Sequence, residues 1–179
     1  TMLQGFSGHL LSEAFLERAA VEAEMNATCQ RQRRELVEWR RRTCQLGPSS
    51  SVRAMLSVGA VPFASAFGFT CNEVVMRDRT AAATIATDSG RSMALLVALW
   101  GHPLDPMWRE AVREALDRCA SWCILYNGSH LRFVDAGRLF TRRHAQLDLE
   151  QTPDDERTFA AFWTVLRTPE LRTLVVASD

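Results

Sequence analysis

The sequence predicts an α/β (α+β) fold in which N-terminal helices precede a mixed β-sheet with one crossover helix and a C-terminal helix. Residues 10–47 read as helix and stop clearly at Gly47-Pro48. Met93–Trp100 is a continuous apolar run, which is typical of a strand covered on both faces. Asn127-Gly128 joins two alternating apolar segments, the strongest short-range indication of a β-hairpin.

The helical N-terminal part is expected to contain two helices that caps and breakers delimit. Ser12 is the expected N-cap of the first helix, which is expected to break near Asn26–Thr28, where helix formers are weakest. The second helix is expected over residues 52–67, with Pro62 bending or splitting it. Trp39 is expected to be half exposed on the first helical stretch.

Three strands are expected in the middle of the chain. They are Glu73–Arg77, Ala81–Ala86 and Met93–Trp100, and Asp88–Gly90 forms the turn between the second and the third. The third strand is expected to be central in the sheet because its apolar residues face both sides.

The last third of the chain alternates helix and strand. Asp105-Pro106 predicts a helix start, with Asp105 as N-cap, and this helix crosses over to the Asn-Gly hairpin. A further strand is expected within Leu139–Leu149. Thr152 is the expected cap of the last helix, and Pro169 is expected to follow its end.

Composition limits the functional classes. The chain has 179 residues and a formal net charge of zero, so only a local patch could hold a polyanion. The five cysteines are odd in number and never spaced CxxC, and no secretory leader is visible, which favours a cytoplasmic protein with reduced thiols. The apolar runs are too short to cross a membrane. All 21 basic residues are arginine, which excludes a catalytic lysine.

The second half of the chain resembles the N-terminal nuclease-like domain of type IIG restriction-modification enzymes and related phage-defence DNA methyltransferases. Four segments carry the resemblance, which spans roughly residues 61–166. They are the apolar-Gly-aromatic turn of Val61–Phe69, the hairpin of Trp122–Phe133, the strand Leu147–Leu149, and the helix Phe159–Leu166. The resemblance implies a restriction-endonuclease-like fold of the PD-(D/E)xK kind.

The catalytic residues that this resemblance implies are missing. The family's first acid should lie near Ala82, where the sequence has three alanines in a row. Its acid-x-Lys triplet should fall on Ala98 and Trp100, and neither carries a charge. Hydrolysis by this class needs carboxylates that hold magnesium and a group that activates water. The resemblance therefore implies a catalytically inactive domain with no metal and no cofactor of its own.

The resemblance also implies a larger protein. Residues 1–50 are expected to form a helical segment that packs on a nuclease-like core of residues 51–179, and the whole is expected to be the N-terminal fragment of a longer chain. The implied partner is a downstream methyltransferase domain, which would bind S-adenosylmethionine. DNA is a second implied partner, and a membrane is not.

Two other functions stay open on the residues alone. Glu73 and Asp88 lie near the expected strands and are candidate displaced ligands of magnesium in an active endonuclease. His130 and His144 could approach each other on neighbouring strands, but no further zinc ligand is apparent. The second alternative is a protein-interaction module with no role on DNA.

Arginine residues are the candidate DNA contacts. Several lie between Arg31 and Arg42 on the first helical stretch, interleaved with Glu35 and Glu38 at salt-bridge spacing. Others flank the Asn-Gly hairpin. The six candidates are Arg40, Arg41, Arg42, Arg132, Arg142 and Arg143.

Overall fold

A computed structural model describes residues 3–24, 26–137 and 143–167 of the chain. Within these residues, seven strands form one mixed sheet with the order β1-β7-β6-β5-β4-β3-β2. The strands are Phe6–Gly8 (β1), Thr70–Met76 (β2), Thr80–Ala86 (β3), Ser92–Ala98 (β4), Trp122–Tyr126 (β5), His130–Asp135 (β6) and His144–Asp148 (β7). The predicted α+β class is therefore confirmed.

The crossover is the one parallel step in the described sheet. Strands β4 and β5 run parallel, with Leu95 opposite Ile124, whereas all other neighbouring strands are antiparallel. Helix α5, residues Trp108–Asp117, connects the two parallel strands after a 3-10 turn at Asp105–Met107. As predicted, β4 lies inside the sheet between β3 and β5, and its residues from Met93 to Ala98 are buried.

The helical N-terminal part breaks where it was expected to. Helix α1 spans Glu13–Glu24 and helix α2 spans Ala27–Thr43. The side chain of Asn26 caps α2 by accepting hydrogen bonds from the backbone N–H groups of Thr28 and Cys29. The hydroxyl of Ser12 accepts one from the N–H of Phe15 and caps α1.

The predicted second helix contains a π-helical segment. Helices α3 (Val52–Ala54) and α4 (Val61–Ala66) flank the π-turns of Met55–Ala60. Pro62 lacks an N–H and its ring would clash with the carbonyl one turn earlier, so a wider turn before it relieves the clash. The indole N–H of Trp39 donates to the Gly59 carbonyl at 2.8 Å. Trp39 is buried in the core with its indole N–H satisfied by this bond, and the expectation of half exposure was wrong.

The sheet separates two apolar layers. On one face, α1, α2, α4 and α6 (Glu156–Arg167) contribute to a large core with Trp39, Phe63 and Phe162 at its centre. On the other face, α5 is the one described helix that packs on alternate residues of the inner strands. Helices thus cover both faces of β4, which explains its continuous apolar sequence.

The Asn127-Gly128 hairpin is confirmed. Its strands are β5 and β6, and the Asn127 side chain accepts hydrogen bonds from the N–H groups of Ser129 and His130 within the loop. Strand β7 starts at His144, inside the range predicted for it, and residues 138–142 lie outside the described residues.

Two predicted caps were wrong. Asp105 lies within the 3-10 turn before α5, where its carboxylate accepts a hydrogen bond from Arg132 instead of capping the helix. Helix α6 starts after Asp155, whose carboxylate accepts from the N–H of Arg157, whereas the Thr152 hydroxyl donates to the Asp148 carbonyl. A carboxylate one residue before the first turn satisfies free N–H groups better than a threonine that already has a partner. Pro169 lies outside the described residues.

Among the described helices, none has the length and apolar character that a membrane span requires.

Candidate functional site

The two alanines at the expected acid positions lie beneath helix α5. Ala82 faces Leu96 across the β3–β4 ladder, and Thr80 faces Ala98. Both Ala82 and Ala98 belong to the α5-side core and have at most 1 % of their surface exposed. Ala111 of α5 is in the same cluster. A close-packed layer of methyl groups occupies this place, and it leaves no room for a hydrated metal ion.

Trp100 does not share a face with Ala98. Residues i and i+2 of a strand point to the same side, as an acid-x-Lys pair requires. Strand β4 ends at Ala98, however, and the chain turns through Leu99–Gly101, so the predicted strand was two residues too long. The Trp100 ring packs against the core on the other face of the sheet, which α1, α2, α4 and α6 cover. It also lies against Gly128 of the hairpin.

The two candidate displaced acids are on separate parts of the sheet. Glu73 lies in a β-bulge of the edge strand β2, with φ of 52°, and its carboxylate accepts a hydrogen bond from the Thr84 hydroxyl at 2.9 Å. Asp88 lies in the exposed β3–β4 turn, four residues beyond Thr84. Because β3 ends at Ala86, Asp88 lies beyond the strand in the turn, whereas Glu73 lies beside Thr84 within the hairpin.

Across residues 3–24, 26–137 and 143–167, no three His, Cys, Asp or Glu side chains are grouped so that they could hold a metal ion.

A buried ion network that the sequence interpretation missed lies beside the alanines. Glu114 of α5 is 3 % exposed and pairs with Arg77 of the β2–β3 turn and with Arg118, the latter at 2.9 Å. Arg118 also donates to the Glu73 carbonyl at 3.2 Å, and the Thr80 hydroxyl donates to Glu110 at 3.3 Å. The network joins α5 to the β2–β3 hairpin. The spacing of Glu114 and Arg118, four residues apart on a predicted helix, was the signal that could have found it.

Arg132 lines a surface cavity of about 450 Å³ on the α5 side of the sheet. Its guanidinium donates to the side chains of Asp105 and Gln146, both at 2.7 Å. The hydrogen bond and the charge of Arg132 lower the pKa of the Asp105 carboxyl. The cavity is lined by Asp105, Pro106, Trp108, Arg109, Arg132 and His144. Arg132 is therefore held by neighbours within the chain and is only partly available to a phosphate.

The arginines of α2 divide into two sets. Arg40 pairs with Asp154 at 3.0 Å and Arg33 with Glu156 at 2.9 Å, so both attach α2 to the turn before α6. Hydrogen bonding to Arg40 lowers the pKa of the Asp154 carboxyl. Arg41 pairs with Glu38 on its own helix at 3.0 Å.

The second set of α2 arginines faces solvent. Arg31, Arg34 and Arg42 are exposed, make no ion pair with any described residue, and line one cavity of about 430 Å³ between α2 and α4. Positions 31, 34 and 42 fall on the same face of a helix because of its period of 3.6 residues. These three residues, called the arginine stripe below, form an exposed basic face of α2 beside Glu35 and Glu38, which line the same cavity.

The two remaining candidate arginines lie near β7. Arg143 is half-buried and lines a cavity with the β1–α1 segment, and Arg142 falls outside the described residues.

His130 and His144 lie on neighbouring strands but do not approach each other. His130 faces Asp148 across the β6–β7 ladder, whereas His144 faces Val134 at the other end of it. Four residues separate the two positions, a distance of about 13 Å. The His130 ring contacts the Ser129 hydroxyl at 2.9 Å through Nδ1, and its Nε2 lies 4.0 Å from Asp148.

The chain matches no protein-family model, no curated protein and no solved structure at a significant level.

Proposed function

We propose that this chain is a catalytically inactive restriction-endonuclease-like domain of a restriction-modification or phage-defence methyltransferase protein. Its role would be to pack against a methyltransferase domain of the same cytoplasmic polypeptide and to contact DNA without sequence preference. A methyltransferase domain elsewhere in that polypeptide would bind S-adenosylmethionine. This chain would bind no cofactor itself.

The burial of Ala82 and Ala98 under α5 is the observation that carries this proposal. A helix, three antiparallel strands, a crossover helix and a strand follow one another in the order α4, β2, β3, β4, α5 and β5, which fits the resemblance. At the places where this arrangement would carry its acids, only methyl groups are present, and α5 shields them from solvent. The fold would be retained for packing and binding while hydrolysis is lost.

An active magnesium endonuclease is the alternative that metal titration tests. Calorimetric titration with magnesium or manganese chloride is expected to show only heats of dilution, because neither Glu73 nor Asp88 belongs to a group of three possible ligands among the described residues. Asp117→Ala, which removes an exposed acid elsewhere, is the matched control for Asp88→Ala. A saturable site that Asp88→Ala or Glu73→Ala abolishes, and Asp117→Ala does not, would establish the endonuclease alternative.

The arginine stripe of α2 is the surface through which we expect DNA contact. Replacing Arg31, Arg34 and Arg42 together by alanine is expected to weaken binding about equally for all sequences. The slope of log K against log salt concentration should become shallower by roughly 0.9 for each phosphate that the variant no longer neutralises, about 2–3 in total. Fluorescence anisotropy with two unrelated duplexes over a salt series measures both effects.

The control for this triple variant removes the same charge elsewhere. Arg53, Arg79 and Arg113 are exposed and line none of the cavities described above, and their joint replacement by alanine should change the slope much less. Arg40 is left intact in both variants because its removal would loosen the attachment of α2 to the α6 turn. Equal weakening of DNA binding by both triple variants would contradict a specific role of the stripe. No binding by the unmodified chain at low salt would favour the interaction-module alternative.

A further inference from the structure

A polar cavity lies where helix α5 stops covering the sheet. On the α5 side, the apolar core extends across the strands as far as Val134 of β6, and α5 packs on β4, β5 and β6. The next strand, β7, presents half-buried polar side chains on this side, among them His144 and Gln146. The beginning of α5 and these strands form the surface cavity of about 450 Å³ that Arg132 lines, a volume typical of small-molecule sites.

Arg132 is a cation withdrawn from water whose counter-ion is held weakly. Its side chain is 11 % exposed, whereas that of Asp105, its ion-pair partner, is 86 % exposed. Gln146 accepts from Nε and Asp105 accepts from Nη1, and Nη2 donates to no described residue. A cation that has lost its water is stabilised by a well-placed anion, and an exposed carboxylate with one hydrogen bond contributes little. The guanidinium can therefore bind a stronger anion through two of its nitrogens.

The other charges around the cavity also favour an anion. Arg109 lines it, is exposed, and makes no ion pair with any described residue. Arg132, through its hydrogen bond and its charge, and His144, through its charge, lower the pKa of the Asp105 carboxyl. The positive end of the α5 dipole lies at the same place, because α5 begins there after its 3-10 turn. Among the described lining residues, two arginines therefore face one carboxylate, and the local charge is positive.

We propose that this cavity binds the phosphate group of a small phosphorylated molecule, which displaces the Asp105 carboxylate from Arg132. Two phosphate oxygens would accept hydrogen bonds from Nη1 and Nη2 of Arg132, the paired geometry that a guanidinium offers. Arg109 would neutralise the remaining charge, and Asp105 would turn fully into solvent. Pro106 and Trp108 line the rest of the cavity, beside the remainder of the molecule. The site is separate from the arginine stripe and does not depend on the nuclease-like interpretation.

Competition with Asp105 favours phosphate over a carboxylate as the ligand group. A carboxylate ligand would bring no more charge to Arg132 than Asp105 already supplies, and Asp105 loses no translational freedom because it belongs to the same chain. A phosphate monoester carries a charge of about −1.5 to −2 at neutral pH and three acceptor oxygens. It can therefore engage Arg132 and Arg109 together, which one carboxylate does less well.

Adenosine monophosphate and adenosine form a matched pair of probes because they differ only in the phosphate. In calorimetric titrations at about pH 8, where the phosphate is fully ionised, the monophosphate is expected to bind and adenosine is not. Arg132→Ala and Arg109→Ala are each expected to weaken binding of the monophosphate about 10-fold, because each removes a charge-assisted contact. Asp105→Asn is expected to strengthen it about 5-fold or more, because the competing negative charge is gone.

Two further substitutions on α5 serve as controls. Arg113→Ala and Asp117→Asn make the same charge changes at exposed positions that do not line the cavity, and both should leave the affinity nearly unchanged. Circular dichroism on each variant establishes that it is folded. The gain expected for Asp105→Asn cannot arise from a loss of folded protein, so the proposal remains testable even if Arg132→Ala does not fold.

Several results would overturn the proposal. They are no binding of the monophosphate up to about 10 mM, equal binding of adenosine, or equal effects of the cavity substitutions and their α5 controls. Duplex DNA is the last probe, since its backbone also carries phosphates. If Arg109→Ala weakens duplex binding by the same factor as binding of the monophosphate, the assignment to a small molecule is wrong. A chain that binds no duplex would leave this site intact and would count only against the DNA role proposed for the arginine stripe.

Discussion

Replacing Glu114 by alanine is expected to lower the free energy of unfolding by about 3–5 kcal/mol, because the substitution leaves a buried positive charge without its partner. Arg118 has only 10 % of its side chain exposed, and its Nε atom makes no hydrogen bond within the described residues even with Glu114 in place. After the substitution, its remaining described contact would be the Glu73 carbonyl. Urea denaturation followed by circular dichroism measures the decrease.

Glu110→Ala is the matched control for this prediction. Glu110 lies one helical turn earlier on the same face of α5, but 35 % of its side chain is exposed and its ion pair with Arg77 is long, at 3.9 Å. We expect its removal to cost no more than about 1 kcal/mol. The double variant Glu114→Ala/Arg118→Ala should be less destabilised than the sum of the two single variants, since it removes both buried charges. Equal effects of the Glu114 and Glu110 substitutions would contradict the proposed importance of burial.

Local sequence patterns were sufficient for the parts of the fold that local chemistry determines. The break at Asn26 depends on a side chain that caps the helix beginning beside it. The hairpin at Asn127-Gly128 depends on glycine at a backbone φ of 90°. The apolar run of β4 reflects cover from both faces, which a continuous hydrophobic pattern indicates directly.

Contacts between distant segments could not be predicted in the same way. Asp105 fits an N-cap by its sequence neighbours, but it lies within reach of Arg132, 27 residues away, and binds that guanidinium instead. Arg40 belongs to a basic run, yet Asp154 engages it across 114 residues. A pattern along the chain cannot reveal such partners, because any acid of the fold can supply the opposite charge.

In the candidate site, too, some features could be predicted from the sequence and others depended on the tertiary structure. The absence of charge at Ala82 and Ala98 is visible in the sequence, and the structure adds that both side chains lie under α5. That Trp100 turns to the opposite face was not visible, because it depends on where β4 ends. The ladder position of His130, opposite Asp148, likewise depends on strand register, which short apolar strands specify only through packing.

Replacing Gly128 by alanine is expected to lower the free energy of unfolding by about 3 kcal/mol or more, for two additive reasons. Gly128 has a φ of 90°, which costs a residue with a β-carbon about 1–3 kcal/mol. A β-carbon there would also overlap the ring of Trp100 and lie 2.9 Å from the Met55 terminal methyl group. Moving this partly buried ring, which packs against the core, to make room costs roughly a further 1–3 kcal/mol.

Gly90→Ala separates these two contributions. Gly90 has nearly the same φ, 87°, in the β3–β4 turn, but a β-carbon there would meet no atom within 4 Å. Its substitution should therefore cost only the backbone strain. The difference between the two variants then measures the contact of Trp100 with the hairpin, and Trp100→Ala combined with Gly128→Ala should remove most of that difference. If Gly128→Ala and Gly90→Ala destabilise the protein equally, the tryptophan at the expected lysine position does not support the hairpin.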